Sequence, residues 1–200
     1  GTEADVTFIR MGSDHFYLVT GSGFGVHDSD WIKKNMPKDG LIHLVDVTSG
    51  KAVLNIVGPM SREVLAKVSE SDISNSAIPF SKSCEIVVGT AQVLAARIGY
   101  VGELGYELHI PSEYAAHVYD LLWNAGQEAG IANVGYRAIE SLRLEKGYVY
   151  WSSDVTPDYT PIEAGLGFRV HLKSKGDFLG RTVLEKQKNN KLTRKLCTFV

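Results

Sequence analysis

The chain has 200 residues, 44% of them hydrophobic, and its 21 basic and 23 acidic side chains nearly cancel. This balance excludes the strongly basic surface of a nucleic-acid or membrane-surface binder, and no apolar run reaches the roughly 18 residues of a membrane span. Two cysteines are too few for a disulfide framework. We therefore expect a globular protein of a reducing compartment, either the mitochondrial matrix of a eukaryote or the cytoplasm of a bacterium, that binds neither nucleic acid nor membrane.

Strands and helices interleave along the chain without a regular βαβ period. Alternation of apolar and polar residues predicts strands at Asp5–Arg10, His15–Thr20, Leu41–Val47, Lys51–Val57, Ser83–Val88, Ala91–Ile98 and Tyr106–Ile110. Helical spacing predicts helices at Ser29–Met36, with Ser29 or Asp28 as N-cap, at Ser61–Val68, from Pro111-Ser112 to Gly126 or Gly130, at Tyr136–Lys146 and at Thr182–Gln187. Tight turns join several strands, so we predict an α+β fold with mixed, mostly antiparallel sheets and packed helices.

The last part of the chain looks like a domain boundary. Residues 1–187 form one predicted domain, and the polar run 188–194 resembles a linker. Residues 195–200 alternate like a strand, and a lone strand leaves its backbone N–H and C=O groups unpaired. We therefore expect these residues to open a further domain, and the sequence to be an excerpt of a longer polypeptide.

A glycine-rich segment between two predicted strands is the first candidate site. Gly99, Gly102 and Gly105 recur at every third position, which predicts a tight turn with unusual backbone angles. Tyr100 closes the incoming strand and Glu107 lies just inside the outgoing one, so the turn is expected to bring a ring and a carboxylate close together.

The outgoing strand places Glu107 away from the predicted core. Tyr106, Leu108 and Ile110 alternate with Glu107 and His109, so the apolar set faces the core and Glu107 faces the other way. A carboxylate there could accept the adjacent N–H and amino groups of a pterin ring while the flat ring stacks on tyrosine. A solvated glutamate on an edge strand is the alternative, and alternation alone favours it.

Three segments, 97–108, 135–148 and 160–168, resemble successive signatures of the glycine-cleavage aminomethyltransferase family. Within that family, the run 142–148, Leu-Arg-Leu-Glu-Lys-Gly-Tyr, and Tyr150-Trp151 are similar to the folate region of sarcosine and dimethylglycine dehydrogenases. The similarity covers essentially the whole chain. It implies the aminomethyltransferase folate-binding fold, whose N-terminal part precedes Gly1, and a C-terminal β-barrel whose first strand is 195–200.

The resemblance also implies roles for individual residues. Tyr100 and Glu107 would hold the pterin end of tetrahydrofolate. Residues 1–5 match the family's G-x-E-x-D motif, and its aspartate, here Asp5, would lie near the folate nitrogens as the catalytic residue that assists one-carbon transfer. Six scattered histidines show no ligand-like spacing, so no metal site is expected.

The carboxylates of the folate tail need a cation, and two arginines of one predicted helix are candidates. Arg137 and Arg143 lie about 120° apart around the helix axis, so only one is expected to face the ligand. Arg137 matches the family's folate-contacting arginine more closely. The alternative for Arg143 is an ion pair with Glu140 or Glu145.

In the dehydrogenase relatives, a separate upstream flavin domain oxidises an N-methyl amine, and the folate domain captures the carbon as 5,10-methylenetetrahydrofolate. The resemblance therefore implies an enzyme domain that uses tetrahydrofolate and a one-carbon donor, with FAD only in a domain absent from this chain. Two alternatives remain: a non-catalytic regulator of pyruvate dehydrogenase phosphatase, which would not need Asp5, Tyr100 and Glu107 together, and a stand-alone aminomethyltransferase. Sarcosine and dimethylglycine are not distinguished by these residues.

Overall fold

The computed structural model describes residues 1–174 and 176–199. It divides into two compact units, one made of Gly1–Met36 and Val149–Val200, the other of Pro37–Tyr148. The strands are β1 (Val6–Arg10), β2 (Phe16–Thr20), β3 (Lys51–Val57), β4 (Ser83–Val88), β5 (Ala91–Ala96) and β6 (Gly105–Pro111). The helices are α1 (Gly25–Asn35), α2 (Ser61–Ala66), α3 (Ala115–Ala125), α4 (Tyr136–Glu145) and α5 (Arg181–Lys188). All strand pairs in these two sheets are antiparallel, which confirms the predicted α+β class.

The Pro37–Tyr148 unit is built on a four-stranded sheet in the order β3-β6-β5-β4. Alternation along β6 turns Tyr106, Leu108 and Ile110 to one face, where all three are fully buried. Leu65 of α2 and Val118 of α3 belong to the same apolar cluster. Burying a side chain such as Leu108 contributes about 1.5 to 3 kcal/mol, so this face supplies the main stabilisation of the sheet.

The other unit has less regular structure. Its β1 and β2 form a two-stranded hairpin with Val6 opposite Thr20, and the rings of Phe8 and Phe16 stack with centroids 5.1 Å apart. Helix α1 follows the hairpin, and most of the segment after Val149 consists of turns that end in α5. An isolated hairpin is only marginally stable in water, and the hydrogen bond from Thr20 of β2 to Asp28 of α1 adds a contact that orders it.

The predicted strand Leu41–Val47 is wrong, because residues 41–47 have no strand structure. Leu41 is 81% exposed and Val45 is 72% exposed, so the apolar alternation has no core to face. Side chains here satisfy the backbone locally: Asp39 accepts a hydrogen bond from the Leu41 N–H and Asp46 accepts one from the Thr48 N–H. Such local bonds compete with a strand ladder.

Helix α1 begins four residues before the predicted start at Ser29, and neither Ser29 nor Asp28 is its N-cap. A short 3-10 turn, Ser22–Phe24, leads directly into the helix at Gly25. Asp28 instead lies in the first helical turn and is 3% exposed. The pattern-based start was wrong because an acidic residue near a helix start serves equally well as a cap or as a first-turn residue.

The strand expected at the end of the chain does not form over residues 195–199, and Val200 lies outside the described residues. The Leu196 N–H donates to the carbonyl of Glu163 at 2.9 Å rather than to a neighbouring strand. A strand exists only when a second strand completes its ladder. The linker at 188–194 and the barrel assignment stay predictions.

Candidate functional site

The glycines of the β5–β6 connection differ in what they require. Gly102 adopts a φ of +74° beside the side chain of Lys146, so both conformation and space favour glycine there. A Cβ on Gly105 would lie 2.7 Å from Cγ1 of Val57, so this glycine allows β6 to approach β3. Gly99 has ordinary backbone angles and room for a side chain. The turn therefore needs two of the three predicted glycines.

Tyr100 lies in this connection and stacks on a second tyrosine. The rings of Tyr100 and Tyr148 have centroids 6.3 Å apart and planes inclined by 26°. Tyr148 also lines a cavity of about 150 Å³ together with Gly99, Gly102 and Arg97. Pockets that enclose whole ligands of drug size measure about 300 to 1,000 Å³. This cavity can therefore hold only part of a large ligand.

Glu107 lies on a central strand, so the edge-strand alternative is wrong. Within β6 it pairs with Asn55 of β3 on one side and Ala96 of β5 on the other. Its side chain is 22% exposed, which leaves the carboxylate reachable but partly shielded from water. Hydrogen bonds to a partly desolvated carboxylate are stronger than those made in bulk water.

His109 is a further candidate site residue, on the same face of β6 as Glu107. Two residues beyond Glu107 on the same strand, it is 1% exposed, and its Nε2 lies 3.7 Å from Oε2 of Glu107. The period of two along β6 was the available signal. A buried imidazole beside Glu107 restricts where that carboxylate can move.

The two candidate arginines both lie on helix α4, in different environments. Arg143 is 2% exposed, donates from Nη1 to the carbonyl of Tyr148 at 2.8 Å and pairs through Nη2 with Glu140. The ion-pair alternative is therefore realised for Arg143. Arg137 lies near the beginning of the same helix and is exposed to solvent, so of the two it alone presents its charge outward.

In the other unit, loops hold the G-x-E-x-D segment on both sides. The backbone N–H and the hydroxyl of Thr2 donate to the carbonyl of Tyr159 at 2.7 and 3.0 Å. The indole N–H of Trp151 donates to the carbonyl of Thr2 at 2.9 Å. Glu3 pairs with His27, whose Nε2 lies 3.3 Å from Oε1. These contacts fix the backbone that leads into Asp5.

Asp5 immediately precedes β1 and has a perturbed acidity. The residue as a whole is exposed, yet protein atoms around the carboxyl desolvate it and raise its pKa, and the positive charge of Arg169 partly offsets that rise. A carboxylate with a raised pKa accepts a proton more readily than a fully solvated aspartate. Arg169 also lines a cavity of about 490 Å³, which is within the range of ligand pockets.

A second carboxylate of this unit, Glu163, is held in the opposite sense. It accepts hydrogen bonds from Nε of Arg194 at 3.0 Å and from the N–H and hydroxyl of Thr160 at 2.9 and 3.0 Å. These donors, Arg194 first, lower its pKa to about 2. Glu163 is therefore an ionised anchor rather than a proton acceptor.

Within residues 1–174 and 176–199, no group of three or more acidic, histidine or cysteine side chains is arranged to hold a metal ion. No helix of the described part is both long and apolar enough to cross a membrane.

Comparison with known proteins defines the class of this fold. The aminomethyltransferase T protein of the glycine cleavage system from Bartonella henselae superposes with a TM-score of 0.75 at 27% identity, over 93% of this chain and 49% of that one. The GCVT N-terminal domain family matches residues 1–174. The chain belongs to this family.

Several mitochondrial proteins are similar over nearly the whole chain. Human sarcosine dehydrogenase is 38% identical over 213 residues, which cover 100% of this chain and 23% of that protein. Human dimethylglycine dehydrogenase is 38% identical over 96% of this chain and 22% of its own length. The mouse pyruvate dehydrogenase phosphatase regulatory subunit is 35% identical over 100% of this chain and 23% of its own length. This chain thus spans about a quarter of these relatives.

Proposed function

We propose that this chain is the tetrahydrofolate-binding, one-carbon transfer domain of an N-methyl amine dehydrogenase that acts on sarcosine or dimethylglycine. The similarity to both dehydrogenases supports the substrate class. The observation that carries the proposal is Glu107, a carboxylate on a central strand, 22% exposed, on the face opposite the apolar core. Glutamate is mostly exposed in folded proteins, so a partly shielded carboxylate on a central strand is a candidate for a ligand role.

The residues of the Pro37–Tyr148 unit fit the pterin end of folate. The two oxygens of Glu107 can accept two adjacent donors from one edge of a pterin, and such charge-assisted pairs are stronger than neutral hydrogen bonds. Tyr100, in the connection that leads into the same strand, stacks on Tyr148 from the turn after α4, and the two rings offer an aromatic surface. Arg137, exposed on α4, supplies a cation for the carboxylates of the tail.

When bound, tetrahydrofolate supplies two nucleophilic nitrogens for the one-carbon unit. An iminium methylene bound there would form two C–N bonds to these nitrogens while its C=N bond to the departing amine is broken. Two N–H protons are lost: one leaves with the amine, and Asp5 accepts the other and passes it to water. The raised pKa of Asp5 suits this task. No electrons are transferred in this step, because the oxidation that makes the iminium belongs to a flavin, FAD, in a separate domain.

Two other functions compete with this one. The similarity to a phosphatase regulatory subunit would suit a non-catalytic role, but Asp5, Tyr100 and Glu107 are all present, which a silent domain would not require. A stand-alone aminomethyltransferase would take its carbon from a different donor. The Glu145-Lys146-Gly147-Tyr148 run and Trp151 favour the dehydrogenase branch, and with it a mitochondrial matrix location in a eukaryote.

The proposal is tested by titrating the full-length protein and its Glu107→Ala variant with tetrahydrofolate. Removing a charged hydrogen-bond acceptor is expected to weaken binding by about 1.5 to 3 kcal/mol, which corresponds to a Kd raised about 10- to 100-fold. Glu85→Ala is the matched control, because Glu85 lies on the same face of the sheet but on the exposed edge strand β4. Equal affinity for wild type and Glu107→Ala would contradict the role of Glu107.

A further inference from the structure

Asp28 is a buried carboxylate that the proposed reaction leaves unexplained. It is 3% exposed, and aspartate is rarely buried this completely unless it is paired. Its Oδ2 accepts a hydrogen bond from the hydroxyl of Thr20, and its Oδ1 lies 2.9 Å from Nδ1 of His27. Each carboxylate oxygen of Asp28 therefore contacts a polar side chain.

These two partners lead to the two ends of the segment that carries Asp5. Thr20 is the last residue of β2 and pairs with Val6, the residue that follows Asp5. His27 contacts Glu3, two residues before Asp5, through its other ring nitrogen at 3.3 Å. One buried carboxylate is thus connected to a residue on each side of Asp5, to Val6 through the strand pair of Thr20 and to the side chain of Glu3 through His27.

Surrounding groups hold this connection in one arrangement. The ring of His27 lies 5.4 Å from that of Trp151, whose indole N–H donates to the carbonyl of Thr2. Each ring nitrogen of His27 faces a carboxylate, that of Asp28 or that of Glu3, so the site suits the charged imidazolium. The pKa of His27 is raised, and the hydrogen bond to Asp28 is the largest cause. Asp28 also lies in the first turn of α1, where a negative charge is favourable.

We propose that Asp28 is a positioning residue, which fixes Asp5 for proton transfer through Thr20 on one side and through His27 and Glu3 on the other. This inference rests on the proposed function, because it assigns Asp28 a role through Asp5. Asp28 itself touches no reacting atom.

The test measures the steady-state formation of 5,10-methylenetetrahydrofolate by the full-length protein and its Asp28→Asn variant. Misplacement of a reacting group by an ångström can lower a rate about 100-fold, so we expect kcat to fall about 10- to 100-fold, with the Kd for tetrahydrofolate within about twofold of wild type. Asp30→Asn is the matched control on the same helix, because Asp30 is exposed and forms a surface pair with Lys34, 2.6 Å away, and we expect it to leave kcat unchanged.

A double variant separates positioning from a general loss of structure. If Asp28 acts through Asp5, then Asp28→Asn combined with Asp5→Asn is no slower than Asp5→Asn alone. Effects that multiply, or an Asp28→Asn variant with wild-type kcat, would overturn the inference. If Asp5→Asn itself keeps wild-type kcat, the proposed proton transfer fails first, and the positioning role with it.

Thr20→Val and His27→Gln provide the same test if Asp28→Asn does not fold. Each removes one of the two connections while leaving Asp28 in place, so each is expected to lower kcat by less than Asp28→Asn does. NMR titration of His27 in Asp28→Asn gives a reading independent of catalysis: its pKa is expected to fall towards the ordinary value of 6.5. An unchanged His27 pKa would mean that the contact does not exist in solution.

Discussion

The two compact units of this chain are each stabilised by different kinds of internal contact. In the Pro37–Tyr148 unit, a sheet face carrying Tyr106, Leu108 and Ile110 packs in one apolar cluster with side chains of α2 and α3. In the other unit, the buried apolar side chains of the described part are Ile9, Val155, Ala164 and Leu184. Its buried carboxylates, Asp28 and Glu163, accept hydrogen bonds from the side chains of Thr20 and Arg194. The first unit depends mainly on the hydrophobic effect and the second also on paired charges.

This difference matches the roles proposed for the two units. A binding carboxylate such as Glu107 gains from a rigid strand, because affinity is lost when side chains must be ordered on binding. A proton acceptor such as Asp5 needs a polar setting that adjusts its pKa, which a loop fixed by hydrogen bonds can provide. The predictions below change one kind of stabilisation at a time.

The largest effect is expected in the apolar cluster. Leu108→Ala removes a fully buried side chain and leaves a cavity, so the sheet is expected to lose about 2 to 5 kcal/mol of unfolding free energy. Native-state hydrogen exchange of the β5 and β6 amides in the full-length protein measures this loss. Val53→Ala on β3 is the control, because Val53 is 44% exposed, and a surface change shifts stability by about 0.5 kcal/mol or less. Similar losses of unfolding free energy in both variants would contradict the conclusion that the apolar cluster lies on one face of the sheet.

A smaller, pH-dependent effect is expected at Glu163. Its folded-state pKa of about 2 lies below the ordinary 4.5, so its stabilising contribution is complete above pH 4.5 and disappears as the pH falls through about 2. Glu163→Gln is therefore expected to weaken hydrogen-exchange protection of the Leu196 amide, which donates to Glu163, at pH 6. The difference from wild type is expected to shrink steadily below pH 4.5. A difference that does not change with pH would mean that charge is not what holds this contact.

The sequence predicted strands β4 and β6 well because the signals of a strand are local. Strand Ser83–Val88 has the predicted bounds, and the alternation along β6 placed Glu107 opposite the core as observed. It could not show that β6 is a central strand, because its partner β3 lies about fifty residues earlier and alternation is the same on edge and central strands. That pairing decides whether Glu107 is solvated or shielded.

Three other features depended on packing that the local sequence pattern does not show. Residues 41–47 have a strand-like pattern but no neighbouring strand, so the pattern alone misled. Asp28 carries the signal of a helix cap, and its pairing with Thr20 and His27 appears only once β2 and α1 are packed. Arg143 could be placed on a helix, but its burial beside the carbonyl of Tyr148 follows from the turn at Gly147.

The central claim is that Glu107 binds tetrahydrofolate and Asp5 transfers a proton, so that binding and chemistry depend on different residues. Its most direct test measures the tetrahydrofolate Kd and the kcat for methylene transfer in full-length Glu107→Gln and Asp5→Asn. We expect Glu107→Gln to raise Kd about tenfold or more, and Asp5→Asn to lower kcat about 100-fold or more with Kd within about twofold of wild type. If both variants changed only Kd, or if Asp5→Asn left both quantities at wild-type values, the claim would be wrong.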